Sequence, residues 1–311
     1  MRIVVPGAAG FIGFHLSHRL LDEGHDVVGV DNYTTGSARN IHDLTANPRF
    51  TFIEQDIVEP LRLNGPVDMI LNMACPASPI DFETKAVDIM RTCSVGVFNL
   101  LELARAAGAL FLQASTSECY GDPLEHPQRE TYRGNVNPIG PRAPYDEGKR
   151  FGEALTMTYH RKYGLRTRMV RIFNTYGPRM RRDDGRALPN FICQALKNEP
   201  VTVHGDGNQT RSFCYVSDLV EGILRTAHGN CVEPINLGND EEITIRQAAD
   251  EVIRIAGSRS TIRLVPRPVD DPEKRRPDLT RAREILGWRP TVARETGFAE
   301  TIAWFRASQP S

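Results

Sequence analysis

The segment GAAGFIG, residues 7–13, decides the fold of this 311-residue chain. It spaces Gly7, Gly10 and Gly13 three residues apart, directly after the apolar run RIVV at 2–5 and at the start of a helical pattern. Residues without a Cβ allow backbone N–H groups and a helix N-terminus to approach a pyrophosphate. Strand, turn and helix in this order predict a dinucleotide-binding unit.

A carboxylate follows at the place where such a unit binds ribose. Asp31 directly follows the next apolar run, DVVGV at 26–30. A carboxylate there accepts hydrogen bonds from an adenosine ribose and repels a 2′-phosphate, so NAD is favoured over NADP. The alternative is a tight strand-to-helix turn with an incidental Asp. Asp56, after the run FTFI at 50–53, is predicted to meet the adenine edge, although taken alone it would be an ordinary surface residue.

Apolar runs alternate with helical patterns through the first half of the chain, which favours a parallel sheet covered on both faces. The fold class predicted is α/β, a Rossmann-type doubly wound parallel sheet with a smaller C-terminal α/β substrate domain. We expect the NAD-binding domain at 1–165, with returning segments near 212–240, and the substrate domain at 166–311. The main helical patterns lie at 11–23, 84–107, 144–163, 187–198, 244–257 and 295–306. A further helix is predicted at VSDLVEGILRTAHG, with Ser217-Asp218 as its N-cap.

Composition excludes several classes of protein. The net charge of −1 gives no long-range attraction to nucleic acid or membrane, and the Arg cluster at 179–186 has no interleaved aromatic residues. No run approaches the length of a membrane span, and the opening MRIVVPG predicts that no signal peptide precedes the fold. The six cysteines form no C-x-x-C pair, which predicts a reduced cytoplasmic protein without a metal site.

The segment YDEGK places Tyr145 and Lys149 four residues apart, on one face of a helix. A nearby ammonium and a bound cationic nicotinamide lower the pKa of a phenol, which makes Tyr145 a candidate general base. The same spacing occurs by chance on solvated helices. Together with the glycine turn, and with Thr116 in ASTSECYG at 114–121, it predicts a Thr–Tyr–Lys catalytic set.

These motifs resemble the extended short-chain dehydrogenase/reductases that act on nucleotide sugars. Within them, TSE, YGDP, NPIGPRAPYDEGKR, RIFNTYGPRM, QTRSFCYVSDL and DDPEKRRPD resemble the UDP-glucuronate decarboxylase family over nearly the whole chain. The resemblance implies that the C4 hydroxyl of the sugar is oxidised and that carbon dioxide then leaves from C5. UDP-xylose follows, and the cofactor returns to NAD. A homodimer is implied too, built by pairing helices 84–107 and 144–163.

The resemblance assigns roles to the catalytic residues. Tyr145 takes the proton of the C4 hydroxyl and Thr116 binds the same oxygen. Ser117 stands where related 4,6-dehydratases carry an Asp that protonates a leaving hydroxyl, and carbon dioxide needs no such acid. Glu118 belongs to proton transfer around C5, and Arg275 meets the carboxylate end of the sugar.

The remaining site residues also follow from the resemblance. The cofactor-binding set comprises Gly7, Gly10, Phe11, Ile12, Gly13, Asp31, Asn32, Thr35, Gly36, Asp56, Ile57, Met73, Cys75, Ala114, Tyr145 and Lys149. The substrate-binding set comprises Thr116, Tyr145, Asn174, Arg186, Arg211 and Arg275, of which Arg186 is the weaker candidate.

This chain departs from the family pattern at several positions. Cys93 replaces a usual Asn, Asp88 a frequent Lys, Cys75 a frequent Ser and Cys119 a frequent Val. Loss of the Asn predicts that some 4-keto pentose is released before the last reduction. The rival functions are a nucleotide-sugar 4-epimerase or 4,6-dehydratase, which Ser117 with Glu118 and Arg275 disfavour. A non-catalytic NAD-sensing protein is disfavoured because it has no use for an ionisable Tyr–Lys pair.

Overall fold

A computed structural model describes residues 1–267 and 273–308. The first three residues of the motif DDPEKRRPD, 270–272, lie outside the described residues, as do 309–311 of the predicted substrate domain. All the predicted site residues lie among the described residues.

A seven-stranded sheet forms the centre of the protein, and every pair of neighbouring strands in it is parallel. In spatial order its strands are β11 (Pro234–Leu237), β6 (Thr167–Ile172), β5 (Leu110–Thr116), β4 (Met69–Asn72), β1 (Arg2–Pro6), β2 (Asp26–Asp31) and β3 (Phe50–Glu54). The order reverses direction beside β1, where α/β proteins of this kind bind ligands at the carboxyl ends of their strands. The predicted fold class is confirmed.

Helices cover both faces of this sheet. Successive side chains of a strand point to opposite faces, so Ile3 and Val5 pack on one side and Val4 on the other. The first side is covered by α1 (Phe11–Asp22), α2 (Ala38–Thr45) and α8 (Val216–His228), and the second by α5 (Val97–Ala107) and α6 (Ala143–Tyr163). All three valine and isoleucine side chains are fully buried, which explains the continuous apolar run that the sequence shows there.

Most of the remaining elements come from the C-terminal half, and the strands among them are short. They are α3 (Asp81–Thr84), α4 (Ala86–Arg91), β7 (Thr175–Tyr176), α7 (Ala187–Leu196), β8 (Val201–His204), β9 (Thr210–Ser212), β10 (Cys214–Tyr215), β12 (Glu242–Thr244), α9 (Ile245–Ala256), β13 (Ile262–Val265), β14 (Lys274–Arg275), α10 (Thr280–Leu286) and α11 (Arg294–Ala307). Strand β9 lies between β12 and β14, and this sheet pairs Arg211 with Arg275. The domain boundary at residue 165 stays a prediction, although the central sheet continues beyond it into β6.

One local prediction differs in detail and another is wrong. The helix expected at roughly 84–107 is present from Ala86 to Ala107, but it consists of α4, a π-helical turn over Thr92–Gly96 and α5. The N-cap expected at Ser217-Asp218 is displaced, because α8 begins at Val216. Asp218 instead accepts hydrogen bonds from the backbone and hydroxyl of Thr291 and from the backbone of Val292. The Asp218 side chain therefore binds a distant segment of the chain instead of capping the helix.

Candidate active site

The glycine turn is packed so closely that side chains are excluded from it. Gly7 has a φ of +85°, and a Cβ there would lie 2.7 Å from the carbonyl carbon of Met73. A Cβ on Gly13 would lie 1.9 Å from the carbonyl oxygen of Gly7. The turn is held to β2 because the Gly7 N–H donates to the Val30 carbonyl at 2.7 Å. Helix α1 starts at Phe11, so its first N–H groups have no partner within the helix and remain available to an anion.

Asp31 joins this turn to the end of β2. Its carboxylate accepts hydrogen bonds from the backbone N–H groups of Ala9 at 3.0 Å and Tyr33 at 2.8 Å. Burial raises the pKa of Asp31 from its ordinary value, and these hydrogen bonds oppose that rise. Asp56 binds the amide of Asn32 at 3.0 Å on the next strand end. Both carboxylates line one cavity at the carboxyl edge of the sheet.

The residues of this cavity fit a dinucleotide. Its lining includes most of the predicted adenosine-side residues, namely Gly7, Gly10, Asp31, Asn32, Thr35, Asp56, Ile57, Met73 and Cys75. Gly13 and Gly36 are not among them. They serve the turn instead, since a Cβ on Gly36 would lie 2.6 Å from the Cβ of Ala9 and 2.9 Å from a carboxylate oxygen of Asp31.

A second cavity adjoins the first and holds the predicted Thr–Tyr–Lys set. It shares Met73 and Cys75 with the adenosine-side cavity and is lined in addition by Phe11, Ile12, Ala114, Thr116, Ser117, Glu118, Tyr145, Lys149, Asn174 and Arg186. Thr116 ends β5, whereas Tyr145 and Lys149 lie on the first turns of α6. Against the effect of burial, the neighbouring Thr116 side chain lowers the pKa of the Tyr145 phenol. The structure therefore brings the three predicted residues together.

Tyr145 is held rigidly between its neighbours. Its ring stacks on Phe82 with the ring centroids 4.7 Å apart, and the Lys149 ammonium nitrogen lies 5.8 Å from its centroid. That ammonium also donates to the Ala114 carbonyl at 2.9 Å. Burial raises the pKa of the Tyr145 phenol above its ordinary value, while Lys149 lowers it. The expected downward effect of Lys149 is present, but in the protein alone the burial outweighs it.

Glu118 lies at the centre of a buried cluster of charges. Its carboxylate binds Arg275 through both oxygens, one contact measuring 2.8 Å, and Arg142 at 2.7 Å. Burial alone would raise the pKa of Glu118, but the guanidinium groups of Arg275 and Arg142 outweigh it and hold the pKa at about 2. Glu118 is therefore ionised at neutral pH. In this arrangement it can receive a proton only after a guanidinium leaves it, and its predicted role in proton transfer stays a prediction.

Two members of this cluster are absent from the predicted site. Arg142 precedes Tyr145 by three residues, and its position at the start of the YDEGK helix was the signal available. Asp146 is 5 % exposed, and one of its carboxylate oxygens is buried without a hydrogen-bond partner. Burial, and then the negative charge of Glu118, raise the pKa of Asp146 to about 7. No spacing in the sequence indicates that it faces Glu118.

A third cavity extends the cleft toward the C-terminal half. It shares Glu118, Arg142, Asn174 and Arg186 with the central cavity, and Arg211 and Arg275 line it as well. Arg186 donates to both carboxylate oxygens of Asp184 at 3.0 and 3.1 Å and to the Ala77 carbonyl. The predicted substrate-binding residues thus lie together, continuous with the catalytic set and opposite the adenosine side.

Other kinds of site find no support in the described residues. No group of three or more His, Cys, Asp or Glu side chains is placed to hold a metal ion within 1–267 and 273–308. Among the helices of the same residues, none is both long and apolar enough to cross a membrane.

Comparison with known proteins gives consistent relatives. The family model described as GDP-mannose 4,6 dehydratase matches residues 4–301. UDP-glucuronic acid decarboxylase 1 of Arabidopsis thaliana is 50% identical over 306 residues, which cover 98% of this chain and 70% of that protein. Identity at this level over nearly the whole chain makes it a close relative.

Solved structures agree with the sequence relatives. The chain is similar to the UDP-glucose 4-epimerase of Thermotoga maritima with UDP-glucose, with a TM-score of 0.91, 29% identity and 99% of each chain covered. It is also similar to the UDP-glucuronic acid 4-epimerase of Bacillus cereus in complex with UDP-glucuronic acid and NAD. That comparison gives a TM-score of 0.87, 28% identity and 99% coverage of each chain.

Proposed function

The chain belongs to the UDP-glucuronic acid decarboxylases, within the wider family of GDP-mannose 4,6-dehydratase, and from this premise we propose how its cleft converts UDP-glucuronate to UDP-xylose. The cofactor is NAD, held by the glycine turn and Asp31, and the UDP-sugar occupies the central and third cavities. The main support is that Tyr145 and Thr116 share one cavity wall with Glu118, which binds Arg275.

Each catalytic side chain has a separate task. Bound NAD supplies reversible removal of hydride from C4 of the sugar. Tyr145 receives the proton of the C4 hydroxyl, Thr116 binds the same oxygen, and the Lys149 ammonium stabilises the phenolate that Tyr145 presents. Once C4 is a carbonyl, the C5 carboxylate is β to a ketone, and its bond to C5 breaks with the electron pair delocalised onto the C4 oxygen.

The residues around C5 suit decarboxylation better than dehydration. Carbon dioxide leaves without a proton, so a neutral Ser117 is sufficient where a dehydratase needs an acid. Arg275 binds the carboxylate end of the sugar and stabilises the negative charge that develops on the enolate. Glu118, which holds Arg275 in the ligand-free protein, is the candidate for returning a proton to C5.

One assay with one variant tests this function. Purified protein is incubated with UDP-glucuronate and NAD, while carbon dioxide release and the anomeric signals of the sugars are followed by NMR. We expect carbon dioxide and UDP-xylose from the wild type, and a loss of about 10²–10⁴-fold in Tyr145→Phe because the proton acceptor is removed. Appearance of UDP-galacturonate without carbon dioxide would assign an epimerase instead. Gas release unchanged in Tyr145→Phe would refute the proposed mechanism.

The same spectra test the fate of the intermediate. Cys93 replaces the Asn that the family resemblance expects next to the catalytic helix, and its Sγ would lie only 3.4 Å from a Cβ on Gly148 of α6. We propose that part of the product leaves as UDP-4-keto-pentose for this reason. Its signals should appear with one equivalent of NADH per molecule released, and their complete absence would contradict this part of the proposal.

The helices beside the site expose an apolar face. Val87 is 70 % exposed, Phe98 47 % and Phe151 49 %, and these side chains lie on α4, α5 and α6. We propose that a second copy of the chain covers them in a four-helix arrangement. Light scattering should give twice the chain mass of 34.8 kDa, and Phe98→Asp should return it toward a single chain. A wild type of single-chain mass at micromolar concentration would refute the dimer.

A further inference from the structure

Two cysteine thiols lie in contact beneath the catalytic cleft. The Sγ atoms of Cys75 and Cys93 are 3.5 Å apart, although they are 18 residues apart in the chain. A disulfide needs about 2.05 Å between sulfurs, so the two sulfurs must approach each other by about 1.5 Å. Cys75 follows β4 in the loop at the edge of the cleft, whereas Cys93 lies in the π-helical turn between α4 and α5.

Each thiol has a different environment. Cys75 is partly exposed and lines both the adenosine-side and the central cavity, so a small oxidant reaches it through the cofactor cleft. Cys93 is 2 % exposed and packs with Phe82, Ile89 and Tyr145. Across from Cys75, a Cβ on Gly148 would lie 3.1 Å from the Cβ of Cys93, so α6 confines the buried cysteine on that side.

The charges around the pair separate their chemical roles. A hydrogen bond from Cys93, with the Lys149 ammonium nearby, lowers the pKa of Cys75 against the effect of its burial. The same hydrogen bond and burial raise the pKa of Cys93. The accessible thiol is therefore the better nucleophile, and the buried one remains a protonated resolving thiol. Reversible oxidation sites in proteins commonly have this arrangement.

We propose that Cys75 and Cys93 form a reversible disulfide when hydrogen peroxide enters the cofactor cleft, and that this oxidation inactivates the enzyme. The Cys75 thiolate attacks one peroxide oxygen, the O–O bond breaks, and Cys75 becomes a sulfenic acid while hydroxide leaves. Cys93 then attacks the sulfenic sulfur, its proton and the sulfenic hydroxyl leave as water, and the S–S bond forms. Two electrons pass from the thiols to the peroxide, and a dithiol restores both cysteines by thiol–disulfide exchange.

Inactivation follows from where the bond forms. Cys75 is part of the wall that the cofactor contacts, and Cys93 packs against Tyr145. Drawing their sulfurs together shifts the loop after β4 relative to the π-helical turn that packs against Tyr145, which changes both the nicotinamide side of the cleft and the surroundings of the general base. Bound NAD covers Cys75, so it should slow the oxidation.

Mass spectrometry tests the site independently of the proposed function. The full chain is treated with hydrogen peroxide, denatured in iodoacetamide and analysed as intact protein and as peptides. We expect a loss of 2 Da in the intact protein before alkylation, two fewer alkylated thiols of the six after it, and a linked peptide that contains Cys75 and Cys93. Saturating NAD should slow the reaction at least about tenfold, corresponding to about 1.4 kcal/mol or more.

Variants separate this pair from the other cysteines. Cys193→Ser removes a partly exposed thiol outside the cleft. After peroxide treatment, the thiols of Cys75 and Cys93 should escape alkylation in this variant as they do in the wild type. Cys93→Ser should form no cross-link and should accumulate a sulfenic acid at Cys75 that dimedone traps; Cys93→Ala replaces it if circular dichroism shows misfolding. Decarboxylase activity, scaled to each untreated protein, should fall with cross-linking and return with dithiothreitol in the wild type and in Cys193→Ser.

Three outcomes would overturn the proposal. One is a wild type in which all six thiols remain alkylatable after prolonged exposure to peroxide. Another is a cross-link that maps to any other pair of cysteines. The third is full activity retained by wild-type protein in which the 75–93 link is complete.

Discussion

Replacing Glu118 by Gln removes the one negative charge that binds two guanidinium groups in the site. The carboxylate is 13 % exposed and pairs with Arg275, whose side chain is 5 % exposed, and with Arg142 at 17 %. Gln keeps the shape of the side chain but neither the charge nor both acceptor oxygens. The guanidinium groups of Arg275 and Arg142 then lose the carboxylate that they share, so we expect the variant to be less stable and to bind neither guanidinium firmly.

The size of the loss follows from the pKa of Glu118. The folded protein lowers that pKa from 4.5 to about 2, and each unit contributes about 1.4 kcal/mol to the free energy of unfolding. The ionised carboxylate therefore stabilises the fold by about 3 kcal/mol at neutral pH, which agrees with the cost of breaking a buried ion pair. Because the folded pKa is the lower one, this stabilisation is complete above about pH 4.5 and is lost as the pH falls toward 2.

Urea denaturation of both proteins measures the difference. At pH 7 the Glu118→Gln variant should have a free energy of unfolding about 3 kcal/mol below wild type, and the gap should narrow between pH 4.5 and the lowest pH at which both proteins fold. Glu102→Gln is the matched control, because the same substitution there breaks an exposed pair with Arg105 and should cost less than about 1 kcal/mol. A loss at Glu118 no larger than in this control would refute the reasoning.

Three further substitutions test separate features of the site. Gly13→Ala should lower the free energy of unfolding by about 1–3 kcal/mol and weaken NAD binding, because the new Cβ meets the Gly7 carbonyl. Gly152→Ala is the control and should have neither effect, because its Cβ would make ordinary contacts at 3.6 Å. Asp31→Asn should raise the affinity for NADP relative to NAD about fivefold by removing a repulsion of about 1 kcal/mol, and an unchanged ratio in fluorescence titrations would refute that role. Asp146→Asn should be more stable than wild type at pH 7 and above, because burial raises the pKa of Asp146 to about 7 and its ionisation opposes folding. The advantage should shrink as the pH falls from 7 to about 4 in urea denaturation, and a constant difference would contradict the raised pKa.

The central sheet was predictable from the sequence because its inner strands are buried on both faces. Runs such as RIVV and DVVGV contain almost no polar residue, and the glycine turn between them admits no side chain. The π-helical turn at Thr92–Gly96 carries no comparable signal, since the local composition is compatible with an ordinary helix. Short strands such as β14, with two residues, exist only because β9 pairs with them.

Within the cleft, most of the predicted site residues lie together, but Arg142, Asp146 and the charge states were not predicted. Glu118 and Arg275 are separated by 157 residues, and only the pairing of β14 with β9 brings the guanidinium to the carboxylate. That contact turns a predicted proton-transfer group into a firmly ionised one, and under the proposed function Glu118 competes with the carboxylate of the sugar for Arg275. If the sugar carboxylate draws Arg275 away, the pKa of Glu118 must rise, because its largest stabilising charge is removed. Binding of the substrate would then itself prepare Glu118 to exchange a proton at C5. Glu118 cannot do this while Arg275 binds it.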